Sequence, residues 1–418
     1  MPRCAPRTGS IWSTGGECLG AWVEALRVRD FRLLWCGRSV SLLGSWLLVV
    51  AVPAHVFAVT GSLVAAGIAL AVEFLPQAVV GPFAGVVADR WDRRWVMVAA
   101  DVVRAGAVLL LLVGDVRVVY LALLLESAGT VVFRPAAQAL VPAVVGTGSA
   151  LTSANGVNAV TDGLVRLVGP PLGGALFAVA GFGLLVWVDF GTYLVSALAV
   201  VRTASRPVPK SARQRVLPEL RAGLAFVAGN RTIRSLLVVS ALFLGANACL
   251  AAIVVPFGMT VLGGATATGV LMSALGIGFL GGGALQPVLI DRVPFLLAIA
   301  LVVTGGGFAL LFSASAVVVA VIAAVVIGLA GSLALGTTQT VVQRVTPDAV
   351  LGRVSAALFT AEAFAAFAGA VLGPVLAKVT SLTWAGYVAG GLAALSGALA
   401  AASLGSSDRV AMRTDPPG

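Results

Sequence analysis

Charge is scarce in this 418-residue chain: 11% of its residues are Asp, Glu, Lys or Arg, against 59% hydrophobic. So little charge cannot cover a water-facing core of this length, and the mean hydropathy of +1.05 points to a bilayer as the solvent. Histidine occurs once, at His55, which excludes a histidine-rich metal site, and Cys4, Cys18, Cys36 and Cys249 lack metal-ligand spacing. No disulfide, metal or cofactor is expected. No serine stands in a nucleophile-elbow context and no glycine-rich loop would cradle a phosphate, so neither an enzyme nor an ATP-driven machine is expected. Residues 1 to 26 lack the continuous apolar core of a cleavable signal, being interrupted by Arg3, Arg7, Glu17 and Glu24. The first span is therefore expected to act as the insertion signal.

What the chain does have is apolar runs of about 20 residues, the length of helix that bridges about 30 Å of hydrocarbon with every backbone polar group paired internally. Twelve spans are predicted. Six lie near 33–59, 63–86, 95–114, 118–133, 152–179 and 183–201; six more lie near 235–259, 267–290, 295–312, 316–336, 354–376 and 384–404. This divides the chain into an N-terminal segment (1–32), a first six-helix bundle (33–201), a basic linker (202–234), a second bundle (235–404) and a tail (405–418). The net charge of +10 resides in the gaps between spans, so it marks topology and not a nucleic-acid surface. By this count 22 Lys and Arg fall on the side of the termini, two (Arg117 and Lys378) opposite, and Arg38, Arg104 and Arg166 within spans. Both termini are expected in the cytoplasm. Trp187, Tyr120, Trp384 and Tyr387 at outer ends, with Trp91 and Trp95 at an inner one, fit interfacial belts.

Three landmarks recur at nearly one offset. Asp89-Arg90 returns as Asp291-Arg292, Gln138 and Pro142 as Gln343 and Pro347, and Gly169-Pro170 as Gly373-Pro374, at offsets of 202, 205 and 204 residues. The fold class predicted is thus all-α membrane, with twelve helices as two parallel six-helix repeats. Such repeats hold a solute site at their interface near the bilayer midplane.

Between spans two and three lies Gly85-x-x-x-Asp89-Arg90-x-Asp92-Arg93-Arg94. It is similar to the signature loop of the major facilitator superfamily, G-x-x-x-D-R-x-G-R-R, with Asp92 in place of the expected glycine. The resemblance implies that Gly85, Asp89, Arg90, Arg93 and Arg94 form a gating loop that latches the two halves in an outward-facing state. Span five carries Gly156, then Gly169-Pro170-x-x-Gly173-Gly174, which resembles the superfamily's antiporter motif with Val165 replacing its second glycine. The alternative is that these small residues serve helix packing alone. Asp30-Phe31-Arg32-Leu33-Leu34-Trp35, Phe133-x-Pro135-Ala136, Ala154-Asn155 and Gly352-Arg353-Val354 add a likeness to the drug:proton antiporter branch, which includes macrolide-efflux and enterobactin-exporter-like proteins. That likeness implies the major facilitator fold and efflux driven by proton influx.

An ionisable side chain in hydrocarbon costs several kcal/mol unless paired, neutral or wetted. Asp101 has Arg104 at i+3 and Asp162 has Arg166 at i+4, so both read as locally paired, Asp162 on a cavity-lining span. Glu73, Glu126, Asp189 and Glu362 have no basic residue within four positions on their own helices. Such a carboxyl favours its neutral form when buried and is able to carry a proton. In the superfamily spans two, four and eleven border the cavity and span six is peripheral. The proton-coupling candidates are therefore Glu126, Glu73 and Glu362 in that order, with Asp162, and Asp189 is set aside. The alternative for each is a carboxyl satisfied by another helix, for instance through Arg38. His55 reads as an interfacial side chain.

The function expected is proton-coupled export of a small amphipathic molecule, drug-, antibiotic- or siderophore-like, by a multi-pass cell-membrane protein acting as a monomer. A mostly apolar cavity with few carboxylates suits a lipophilic solute, cations included. The partners are then that solute, protons and membrane lipid, without nucleic acid. Uptake or lipid flipping in the same fold, and a non-transporting sensor or scaffold, are the alternatives.

Overall fold

The computed structural model describes residues 26–81, 91–146, 149–204, 225–289, 295–346 and 348–404. The first half contains α1 (Arg29–Thr60), α2 (Leu63–Val79), α3 (Arg93–Leu110) and α4 (Val116–Val145). A helical run over Ser149–Val201 then breaks at Gly181, whose φ of 78° and ψ of 173° lie outside the helical region. The run divides beside it into α5 (149–178) and α6 (Val179–Val201), with Gly181 in the first turn of α6. The second half contains α7 (Arg231–Thr260), α8 (Ala265–Leu289), α9 (Phe295–Phe312), α10 (Val317–Val345), α11 (Asp348–Val379) and α12 (Leu382–Leu404). Among the described residues ten helices are long and apolar enough to cross a membrane by length and composition; the shorter α2 and the α5 part of the broken run stand at the other two predicted spans.

Local chemistry sets the helix ends. Ser62, Asp92, Asp115 and Asn230 each cap a helix by accepting a backbone N–H with the side chain, and Gly61 and Gly114 turn the chain at positive φ. Asp92, the residue that departs from the loop signature, is the N-cap of α3 and accepts from Arg94 N–H at 2.9 Å. Two helices outrun their predicted spans: α4 continues to Val145 and α10 to Val345. Arg134, one residue beyond the predicted end of span four at 133, therefore lies inside α4. Pro135 did not end the helix, because a membrane helix tolerates the one missing N–H when neighbouring helices pack around it.

Matching helix pairs pack in both halves: α2 with α4 and α8 with α10, α3 with α4 and α9 with α10, α9 with α12 and α3 with the α5–α6 run. Repeated glycines permit the closest approaches. A Cβ on Gly169 of α5 would lie 2.6 Å from Trp46 Cβ of α1, and one on Gly373 of α11 would lie 2.6 Å from Cys249 Sγ of α7. The helix pairs that join the halves are chiefly α2–α11 and α5–α8, with lesser α1–α7 and α2–α7 contacts. Gly67 takes Pro374 against it, while Ala71, Ala248, Ala366 and Ala370 form a small shared core. Gly276 receives Leu167 at mid-membrane. These contacts run from mid-membrane to the face away from the termini, and α4 and α10 form no packed pair among the described residues. The halves thus stand apart between α4 and α10 toward the face that bears the termini, and that gap is the chamber between them.

Candidate functional site

Two polar groups occupy the first half. The deeper one is built around α4, where Glu126, Thr130 and Arg134 stand four residues apart on one helix face. Glu126 Oε1 accepts from Tyr193 Oη of α6 at 2.6 Å and from Thr130 Oγ1 at 2.9 Å, and Ser45 Oγ of α1 lies 2.9 Å from the same tyrosine hydroxyl. Glu73 of α2, Glu126 of α4 and Asp189 of α6 line one cavity of about 90 Å³, room for several waters, closed on its other sides by Leu48, Val52, Val108 and Leu123. Asp189 Oδ1 accepts from Thr192 Oγ1 at 3.0 Å, while its Oδ2 is buried without a hydrogen-bond partner among the described residues. Arg104 borders this group. It is sandwiched between Phe133 and Tyr193, 4.4 and 4.5 Å from the ring centroids, and pairs with Asp101. Gly129 makes room for its stem, since a Cβ there would meet Arg104 Cγ at 2.6 Å.

Asp189, set aside above as peripheral, therefore shares the cavity of Glu126 and Glu73. The chamber between halves is not the only enclosed space: α6 is peripheral to that chamber yet faces the interior of its own bundle, drawn in where Gly44 of α1 takes Asp189 and Thr192 against its backbone. The Asp101–Arg104 pair forms as the i+3 spacing suggested.

The second group faces the chamber. Arg38 of α1 grips Asp162 of α5 through two bonds, Nη1 to Oδ1 at 2.7 Å and Nη2 to Oδ2 at 2.8 Å, and Trp35 Nε1 donates to Thr161 Oγ1 at 2.9 Å beside them. The expected Asp162–Arg166 pair is not formed. The planar fork of Arg38 meets both carboxylate oxygens at once, which an i+4 neighbour does not improve on. Arg166 instead lies over Trp46 of α1 and Phe279 of α8, 5.4 Å from each centroid, and so bridges the halves. Arg134 projects into the same space, within the fields of Arg38 and Asp162, and keeps an accessible surface.

The remaining sequence candidates lie elsewhere. Glu362 of α11 faces Ser240 of α7 in the second half, away from the other carboxyls. Gly85, Asp89 and Arg90 lie outside the described residues. Arg93 Nη1 donates to Ala139 O of α4 at 3.1 Å and Arg94 donates to Val201 O of α6, so this part of the loop ties together helices of one half. In the antiporter-like stretch Gly169 and Gly173 pack against Trp46 and Leu47 of α1, with Pro170 buried beside them. Gly174 faces open space, and Gly156 is half-accessible on the same helix. His55 stacks on Phe182 at 4.0 Å. Sequence reasoning missed Arg134 and Tyr193 as site residues; the four-residue spacing from Glu126 through Thr130 was the signal available for Arg134.

The sequence profile described as Major Facilitator Superfamily matches residues 34–370. Macrolide efflux protein A of Streptococcus pyogenes is 27% identical over 346 residues, 78% of this chain and 83% of that protein. Multidrug efflux pump Tap of Mycolicibacterium fortuitum is 29% identical over 249 residues, 56% of this chain and 61% of that protein. Among solved structures, the nucleoside transporter NupG superimposes with a TM-score of 0.73 at 15% identity, covering 91% of this chain and 99% of NupG. With two six-helix halves around a chamber, and with that profile spanning most of its length, the chain belongs to the Major Facilitator Superfamily.

Proposed function

We propose that this protein is a secondary active exporter of a small amphipathic molecule, driven by proton influx through alternating access. The observation that carries the reading is the cluster of Glu73, Glu126 and Asp189 around one enclosed cavity. Three carboxyls there cannot all hold bare charge without a cost of several kcal/mol, and a proton shared among them offsets it. Glu126 is joined to the chamber by its own helix: the stripe Glu126, Thr130, Arg134 runs from the carboxyl cavity to the arginine group. A change in protonation at Glu126 thereby acts directly on Thr130 and lies two turns along the same helix face from Arg134. The efflux roles named for the relatives support the outward direction.

In this reading the chain works as a monomer in the cell membrane, surrounded by lipid, with its basic terminus-bearing face in the cytoplasm. The test is dye retention by cells expressing the protein, over a panel of lipophilic fluorescent compounds. Export should stop when an uncoupler collapses the proton gradient and should fall at least about tenfold in Glu126→Gln, the scale of losing one proton-transfer group. Export that survives the uncoupler, or a fully active Glu126→Gln, rejects the coupling.

A further inference from the structure

We infer that the solute held in the chamber carries an anionic group, bound by Arg134 and Arg166. The inference rests on the transporter reading of the chamber but not on its proton coupling. Three guanidiniums, Arg38, Arg134 and Arg166, lie within one another's fields there together with Asp162, and Glu126 stands two turns from Arg134 along α4. Arginine does not neutralise by losing a proton, so the three guanidiniums outnumber Asp162 and Glu126 even with both carboxylates ionised. Asp162 is committed to Arg38 through both its oxygens. Among the described residues neither Arg134 nor Arg166 has a carboxylate within ion-pair distance.

Arg134 and Arg166 keep accessible surface, and Arg38 and Asp162 are about a third exposed beside them. A fixed positive charge within the membrane marks a ligand path when its own protein leaves it unmatched. Trp46 and Phe279 on either side of Arg166 supply flat apolar surface next to the charge. The solute that fits is therefore an amphipathic acid, with a carboxylate, sulfonate or phosphate beside an aromatic or other apolar body. This reverses the sign suggested by the scarcity of carboxylates in the sequence: the cations of the chamber outnumber its anions once Arg134 is placed on α4 and Asp162 on Arg38. Exchange of an anion outward for protons inward moves charge in one sense, so an inside-negative potential should speed it.

The experiment uses the full chain in lipid nanodiscs, without any gradient, and two xanthene dyes of opposite charge: fluorescein as the anion and rhodamine 6G as the cation. Fluorescence anisotropy should show saturable fluorescein binding that weakens with salt. Arg134→Gln and Arg166→Gln should each weaken it at least about tenfold, the scale of one charge-assisted contact. Arg134→Lys should restore it to within about threefold, because the charge and not the shape of the side chain is at issue. Rhodamine 6G affinity should stay the same or rise in the glutamine variants. Thermal unfolding of each variant reports whether it is folded. Tighter binding of rhodamine 6G than of fluorescein to the unaltered protein overturns the inference. So does absence of saturable fluorescein binding, a fluorescein affinity unchanged in both glutamine variants, or a loss that Arg134→Lys does not recover. Because no gradient is present, failure of proton coupling leaves this result untouched, and an anion site absent here leaves the uncoupler test standing.

Discussion

Asp162 has two arginines in reach, and the structure commits it to the one 124 residues away and not to the one a single turn along its own helix. Double-mutant cycles test that choice. Two charge-assisted bonds of 2.7 and 2.8 Å would each contribute about 1.5–3 kcal/mol if fully buried. The side chains of Arg38 and Asp162 are 30% and 35% exposed, so water screens part of this. A coupling of about 2 kcal/mol is expected for Arg38→Gln with Asp162→Asn. An i,i+4 pair on a helix surface gives about 0.2–0.5 kcal/mol, and that is the ceiling for Arg166→Gln with Asp162→Asn. Asp162→Asn should cost more than the double change, because it strands Arg38, whereas after Arg38→Gln the carboxylate keeps Arg166 in reach. The assay is reversible unfolding in mixed detergent micelles on addition of dodecyl sulfate, followed by circular dichroism. Equal couplings in the two cycles, or a larger one for Arg166, would refute the reasoning.

Further outcomes follow from single positions. Gly173→Ala should destabilise the protein by about 1–3 kcal/mol, because the added methyl meets Leu47 O of α1, whereas Gly174→Ala, facing open space, should change stability by less than about 0.5 kcal/mol in the same unfolding assay. Gly181→Ala should cost about 1–2 kcal/mol through its positive φ, visible as a lower unfolding midpoint with no change of fold. Tyr193→Phe keeps the ring against Arg104 but removes the hydroxyl shared by Glu126 and Ser45; proton-driven dye export should slow several-fold while fluorescein binding without a gradient stays the same. Cys36 is exposed and Cys249 buried, so in intact nanodiscs a maleimide should react at Cys36 and spare Cys249.

The twelve helices were legible because a run of about twenty apolar residues has few other uses, and the repeat because Gly169 and Gly373 seat α5 on α1 and α11 on α7 in the same way. The branch likeness read from the motifs recurs in the macrolide-efflux relative. What the sequence hid is long-range. Local spacing offers Asp162 a partner at i+4, and only the approach of α1 to α5 presents Arg38 with better geometry. Asp189 is set aside in the sequence because span six lies away from the central cavity; the structure gives it a second cavity inside its own bundle, where Gly44 lets its carboxyl approach α1. Arg134 stands one residue past the apolar run that marks span four, at 133, yet α4 carries on through Pro135 to Val145 and takes it into the helix. Asp92 is a departure from the family pattern with a local reason, the capping of α3.

The account turns on two halves that part on one face of the membrane while closing on the other. The most direct measurement places Ala71→Cys and Ala370→Cys, in the small core shared by α2 and α11, into a chain otherwise free of cysteine, and follows export of a dye that the cells extrude. Oxidation to the disulfide should abolish export and reduction should restore it, because the closed face can no longer open. Undiminished export by the fully cross-linked protein would contradict the account.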